Sequence, residues 1–119
     1  MLATDPRDNG MLATDPVAVY VVLLAKAVGK IRSVRAANPG RDSKKPCVYV
    51  GMSGLAPEER FANHKAGIKA ASVVKRHGLR LLPELYEHLN PMPFEAAARM
   101  EMDLAEDLRR ARYTVTGGH

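Results

Sequence analysis

A single cysteine, Cys47, stands in the whole chain of 119 residues. It excludes an internal disulfide and any multi-cysteine zinc site, and it points to a reducing, cytoplasmic setting. Long hydrophobic runs are also missing. The longest near-apolar stretch, Val17 to Ala25, has nine residues, where a membrane-spanning helix needs roughly 20. No transmembrane span and no membrane partner are therefore expected. The opening residues lack the basic region, apolar stretch and cleavage site of a secretion signal. Several motifs of chemistry are absent too. Gly51, Ser53 and Gly54 are not followed by the Gly-Lys-Ser/Thr of a phosphate-binding loop. No Gly-x-Ser-x-Gly elbow occurs. His64, His77 and His88 have no metal-ligand spacing with a cysteine.

What is present fits one domain. The apolar fraction is 46% and the charged fraction 26%, which excludes wholesale disorder. The net charge of +5 is unevenly spread. Residues 26–80 hold 13 Lys/Arg against Asp42, Glu58 and Glu59, a net of +10, whereas residues 81–119 are net −3. A basic block of this size suits a polyanion, because phosphate contacts supply affinity independent of sequence. The plainer alternative is a solvated basic surface. MLATDP occurs at Met1–Pro6 and again at Met11–Pro16. Six residues are too few for a structural repeat. Residues 1–15 are read as a disordered segment with a duplicated start, and residues 16–119 as the single domain.

The hydrophobic pattern places the elements. Val17–Ala25 is β-branched and apolar on both faces, as a buried strand is. Lys26–Pro46, basic and broken by Asn38-Pro39-Gly40, reads as a loop of about 20 residues, and loops that long are often functional. Residues 46–51 form a second strand. Pro57 at a first helical position, Glu58 and Glu59 behind it, and Gly67 beyond His64 and Lys65 bound a helix over 57–66. A short helix is expected near 71–77, an edge strand near 79–82, and a possible strand over 113–116. Residues 94–111 form the clearest helix, with Ala97, Met100, Leu104, Leu108 and Ala111 on one stripe. The expected fold is α/β, an α+β sandwich with a small, mainly antiparallel three-stranded sheet flanked by helices.

Within that frame a few side chains stand out. Glu101 falls on the apolar stripe of the last helix, and a buried carboxylate is costly unless it is paired or holds a metal. An internal salt bridge, or a carboxylate reaching out from the stripe's edge, are the alternatives. Arg60 and His64 lie four apart and share one helix face. Together they could contact a phosphate and move a proton, or be two polar groups on a wet face. Tyr20 and Tyr49 hold similar places in the two strands, where packing alone would explain them.

Taken in order, these residues resemble the GIY-YIG nuclease family. Ala18-Val19-Tyr20 is similar to its first tripeptide, with Ala for Gly, and Tyr49-Val50-Gly51 to its second, with Val for Ile. Tyr49–Gly67 is similar to the family's strand, loop and helix, its Arg falling on Arg60 and its His or Tyr on His64. Ala97 and Glu101 match the Ala-x-x-x-Glu of its last helix. The likeness spans roughly residues 17–116. It departs from the family at Ala18, at Thr114 near the place of a frequent Asn, and in the 28 residues between Tyr20 and Tyr49. Some restriction-enzyme members carry an insertion there, which points to DNA in preference to RNA.

The resemblance implies a metal-dependent endonuclease with Tyr20, Tyr49, Arg60, His64 and Glu101 as its catalytic set. Glu101 would hold Mg²⁺ (or Mn²⁺), Arg60 would stabilise phosphoryl charge, and Tyr20 would deprotonate or orient the water. Arg35, Arg41, Lys44, Lys45, Lys65 and Lys69 are the candidate contacts to nucleic acid. A catalytically inactive nucleic-acid-binding module on the same fold is the alternative, and a protein-interaction domain is a third reading.

Overall fold

The computed structural model describes residues 16–119; the duplicated MLATDP segment and the expected disorder of residues 1–15 lie outside the described residues. The β-branched run forms strand β1, Ala18–Leu24, and the second apolar run forms β2, Cys47–Ser53. They pair antiparallel, with Tyr20 opposite Gly51 and Val22 opposite Tyr49. Strand β3, Gly78–Leu81, joins the other side of β1, also antiparallel. Strand β4, Thr114–Gly117, lies beside β2 and runs parallel to it. The sheet order is β3-β1-β2-β4.

The sheet thus has four strands and is mixed, which corrects the expected three-stranded, mainly antiparallel one. The α/β class itself holds. The chain can reach a parallel position beside β2 because a long helix intervenes, as parallel pairing requires. A second correction concerns Lys26–Pro46. It contains a 3-10 turn, Lys26–Lys30, and a short helix α1, Arg32–Ala37. No residue of α1 is buried, so it carries no apolar stripe for a sequence reading to find.

Helix α2 is Pro57–Ala66 and α3 is Ser72–His77. Proline at the first position and glycine past the last fix α2. Gly67 takes φ +82, and the next N–H, of Ile68, returns to the Asn63 carbonyl at 2.8 Å. Helix α4, Phe94–Arg110, packs against β1, β2 and β4. Its buried stripe is Ala97, Glu101, Ala105 and Leu108. Met100 and Leu104 pack beside the stripe, but Ala111 is exposed, so the apolar row ends earlier than expected. Val19, Val21, Val22, Val48, Val50 and Val115 form the centre of the core. No helix among the described residues is long and apolar enough to cross a membrane.

Two asparagine side chains complete the sheet where no strand does. Along the β3 side of β1, Val17 exchanges both backbone bonds with Met92, and Val21 accepts from Leu82 N–H. Val19, between them, meets the side chain of Asn90, which accepts from its N–H at 2.9 Å and donates to its carbonyl at 2.7 Å. On β4, the amide of Asn38 does the same for Val115, at 2.9 Å each way. Asn38 also donates to Val34 O and accepts from Arg109 Nε. A primary amide has the donor and acceptor layout of a peptide unit, so one side chain replaces one residue of a missing strand.

Asn38 is 3% exposed, so removing its amide strands buried backbone groups rather than exposing them to water. Asn38→Ala is expected to lose about 3 kcal/mol of stability. Urea unfolding with an unchanged denaturant slope is the check.

Candidate functional site

Four elements bring the candidate catalytic residues to one place. Tyr20 comes from β1 and Tyr49 from β2, diagonal across Gly51 on one face of the sheet. Their ring centroids are 6.2 Å apart. His64 of α2 sits against both, with centroids 6.0 Å from Tyr20 and 5.6 Å from Tyr49. Arg60, one turn earlier on α2, and Glu101 of α4 act electrostatically on both tyrosines.

The rings can gather this closely because Gly51 has no side chain. A Cβ there would stand 2.7 Å from the Tyr20 hydroxyl and 2.9 Å from the Tyr49 ring. Gly117 serves the same space from β4. It takes φ +73, and a side chain there would strike the Val50 carbonyl and the Tyr49 ring. In the sequence Gly51 and Gly117 read as part of a tripeptide and as a strand end. Their role as clearance was missed, although a glycine inside a strand signals close approach.

His64 is fully buried, and both its ring nitrogens are engaged. Ala71 N–H donates to Nδ1 at 3.1 Å. The neutral ring therefore carries its proton on Nε2 and donates it to the Tyr20 hydroxyl oxygen, 2.8 Å away. Burial first, and then the nearby charge of Arg60, push its imidazole down to about 4. His64 is thus a neutral hydrogen-bond donor and not a proton acceptor for Tyr20.

Arg60 is held by two backbone carbonyls. Nη2 donates to Lys69 O at 2.8 Å and Nη1 to Ile68 O at 3.2 Å. These neutral partners fix the guanidinium and leave its charge uncancelled. Burial raises the Tyr20 hydroxyl well above the ordinary phenol range; Tyr49 adds to this, Arg60 opposes it, and Glu101 adds again. Tyr49 is also raised, by burial and then by Glu101, with Arg60 opposing.

Glu101 is 6% exposed, and its carboxyl has no hydrogen-bond or ion-pair partner among the described residues. The internal salt bridge weighed as an alternative is therefore not formed. Burial pushes its carboxyl up to about 7. No group of three or more His, Cys, Asp or Glu able to hold a metal occurs among the described residues. A lone carboxylate does not make a zinc site, but it fits Mg²⁺, which commonly takes one carboxylate, substrate phosphate oxygens and water.

The six candidate nucleic-acid contacts fall into two sets. Arg35 on α1 and Lys44 and Lys45 beyond it are exposed. Arg41 is half-buried, with Nε donating to Thr114 Oγ1 at 2.9 Å. Lys65 and Lys69 belong to the α2–α3 region instead. Lys65 Nζ donates to the Lys75 and Gly78 carbonyls, both at 3.0 Å, and ties α2 to α3 and β3. Lys69 is exposed in the connecting turn at φ +48.

The chain matches no protein-family model, no curated protein and no solved structure.

Glu101 and His64 tie stability to pH with opposite signs. Glu101 keeps its proton in the folded chain and loses it in the unfolded chain between about pH 4.5 and 7, so its contribution falls as pH rises through that window. The unfolded chain takes up a proton on His64 that the folded chain refuses between about pH 6.5 and 4, so that contribution falls as pH drops. In EDTA the two slopes oppose one another. Glu101→Gln is expected to be more stable than wild type by about 3 kcal/mol near pH 8 and equal to it near pH 4. Urea midpoints across that range measure this; an offset independent of pH would refute the ionisation account.

Proposed function

We propose that the protein is a divalent-metal-dependent endonuclease that hydrolyses phosphodiester bonds in DNA, as its resemblance to the GIY-YIG nucleases implies. The observation that carries this reading is the cluster itself. A tyrosine pair and a neutral histidine touch one another, and an uncancelled guanidinium and an unpartnered carboxylate on two helices act electrostatically on both tyrosines. Tyr20, His64 and Arg60 also serve the packing, but the Glu101 carboxylate does not, and together these groups match the requirements of phosphodiester hydrolysis.

Water forms a new bond to phosphorus and releases a proton to solvent as the bond to the leaving oxygen breaks, that oxygen takes up a proton from solvent, and negative charge grows on the phosphoryl oxygens in between. Arg60 would meet that charge with the guanidinium that its two carbonyl partners hold in place. Glu101 would hold Mg²⁺ or Mn²⁺. The ion, when bound, supplies charge neutralisation at the phosphate and favours the ionised carboxylate. Tyr20 is a neutral phenol whose oxygen already accepts from His64. Of the two roles expected for it, orienting the water suits this state better than deprotonating it. Tyr49 would position the phosphate from the neighbouring strand. The basic connection between β1 and β2 would follow the nucleic-acid backbone. The single cysteine is in keeping with a reducing, cytoplasmic setting.

Supercoiled plasmid with Mg²⁺, Mn²⁺ or EDTA is the direct test. Wild type is expected to nick with metal and not in EDTA. Glu101→Gln and Arg60→Ala should each lower the rate at least about 100-fold while leaving the salt-sensitive gel shift. A gel shift with no cleavage under any metal would move the protein to the non-cutting binding module. Undiminished metal-dependent nicking by Glu101→Gln would overturn the assignment of the metal ligand.

A further inference from the structure

A concave feature lies at the C-terminal end of α4, and none of the candidate catalytic residues lines it. There the turn after α1, with Asn38, Gly40 and Arg41, faces Arg109, Arg110 and Tyr113 across a cavity of about 270 Å³. This is just below the roughly 300–1,000 Å³ found for small-ligand sites. It suits one nucleotide and not a longer stretch of strand.

The charge balance of the cavity is unequal. Of its three guanidinium groups, Arg110 is neutralised by Glu106, which also lines the cavity, and by Asp107. Arg41 and Arg109 are half-buried and have no carboxylate partner among the described residues. Arg41 Nε donates to Thr114 Oγ1 at 2.9 Å, and Arg109 Nε to Asn38 Oδ1 at 3.2 Å. Neutral acceptors orient the two cations without cancelling them. Both residues line the cavity, Arg41 with Nη2 laid over Gly29, and no carboxylate among the described residues cancels either charge, so an anion is the partner they lack. Tyr113 adds a half-buried aromatic ring, with Lys45 Nζ 5.5 Å from its centroid.

We propose that this cavity binds one nucleotide unit of a nucleic-acid strand, with its phosphate on Arg41 and Arg109 and its base on Tyr113. Guanidinium forks match phosphate oxygens, and a tyrosine ring stacks any base. The strand as ligand rests on the nuclease reading. Glu101 and Arg109 both lie on α4, eight residues apart, or roughly 12 Å along the axis. A strand held in the cavity is therefore gripped outside the reacting phosphate.

The test uses the full chain in EDTA, so that no cleavage is required. A Cβ at Gly40 meets nothing within 4 Å, so Gly40→Glu sets a carboxylate at the cavity without disturbing packing, and Gly40→Gln is its neutral control. The probes are thymidine, thymidine 5′-monophosphate and a short labelled oligothymidylate, read by arginine ¹⁵Nε shifts and fluorescence anisotropy. The Arg41 and Arg109 signals should move with the monophosphate and not with thymidine. The oligonucleotide should bind more tightly than the monophosphate. Gly40→Glu should weaken oligonucleotide binding at least about tenfold, and Gly40→Gln should leave it unchanged. Unmoved arginine signals, or wild-type binding by Gly40→Glu, would overturn the site. Equal affinity for monophosphate and oligonucleotide would overturn the strand as its ligand. Plasmid nicking and these shifts report separately, so failure of either reading is visible without the other.

Discussion

Tyr20 and His64 meet at 2.8 Å inside the fold, at 1% and 0% exposure. Both are closed off from bulk water, so each serves as the other's hydrogen-bond partner. The pairing reaches further through the imidazole. Its Nδ1 accepts from Ala71 N–H, which pins the start of α3 to the end of α2. The tyrosine end fixes α2 against β1, and Gly51 opposite Tyr20 sets how closely β2 and its own tyrosine approach. A buried polar network of this kind fixes geometry because a half-satisfied arrangement is much worse than a complete one. The candidate site is thus continuous with the packing of the sheet.

Glu101 stands at the edge of that network and is treated differently. His64 and Tyr20 satisfy each other, and Arg60 is satisfied by carbonyls, whereas Glu101 has burial without a hydrogen-bond partner. Leu or Ala would serve the α4 stripe at lower cost, as Ala97, Ala105 and Leu108 do on the same face. A carboxylate kept there has no account in packing terms. Its raised proton affinity is the direct consequence of the missing partner, and a cation is the kind of partner that would lower it again.

The parts of the fold that the sequence discloses are those with local punctuation. Pro57 and Gly67 bracket α2 to the residue, and the apolar stripe delimits α4 to within one residue of Phe94–Arg110. Glu101 was legible because it breaks that stripe. Helix α1 was not legible, because its only half-buried apolar side chain is Val34 and no periodicity forms around one residue. Nor was the placement of β4 beside β2, since parallel pairing is decided by a connection through α4 and not by anything in four residues. Asn38 and Asn90 were invisible for a related reason. Their amides bond to backbone far away in sequence, and backbone donors and acceptors are the same at every residue.

The same asparagines explain how the basic connection between β1 and β2 becomes part of the molecule. Apolar burial holds this Lys- and Arg-rich segment only at Val28, with Val34 partly buried, and α1 buries nothing outright. Asn38 instead ties the segment to the free edge of β4, and Arg41 adds its bond to buried Thr114. Polar anchors of this kind hold a surface in place while keeping it charged. Such anchoring would suit contact with a polyanion, because cations on a disordered loop would lose conformational entropy on binding. Here that ordering is done by folding, and Arg41 is left half-buried, oriented and uncancelled beside Arg109.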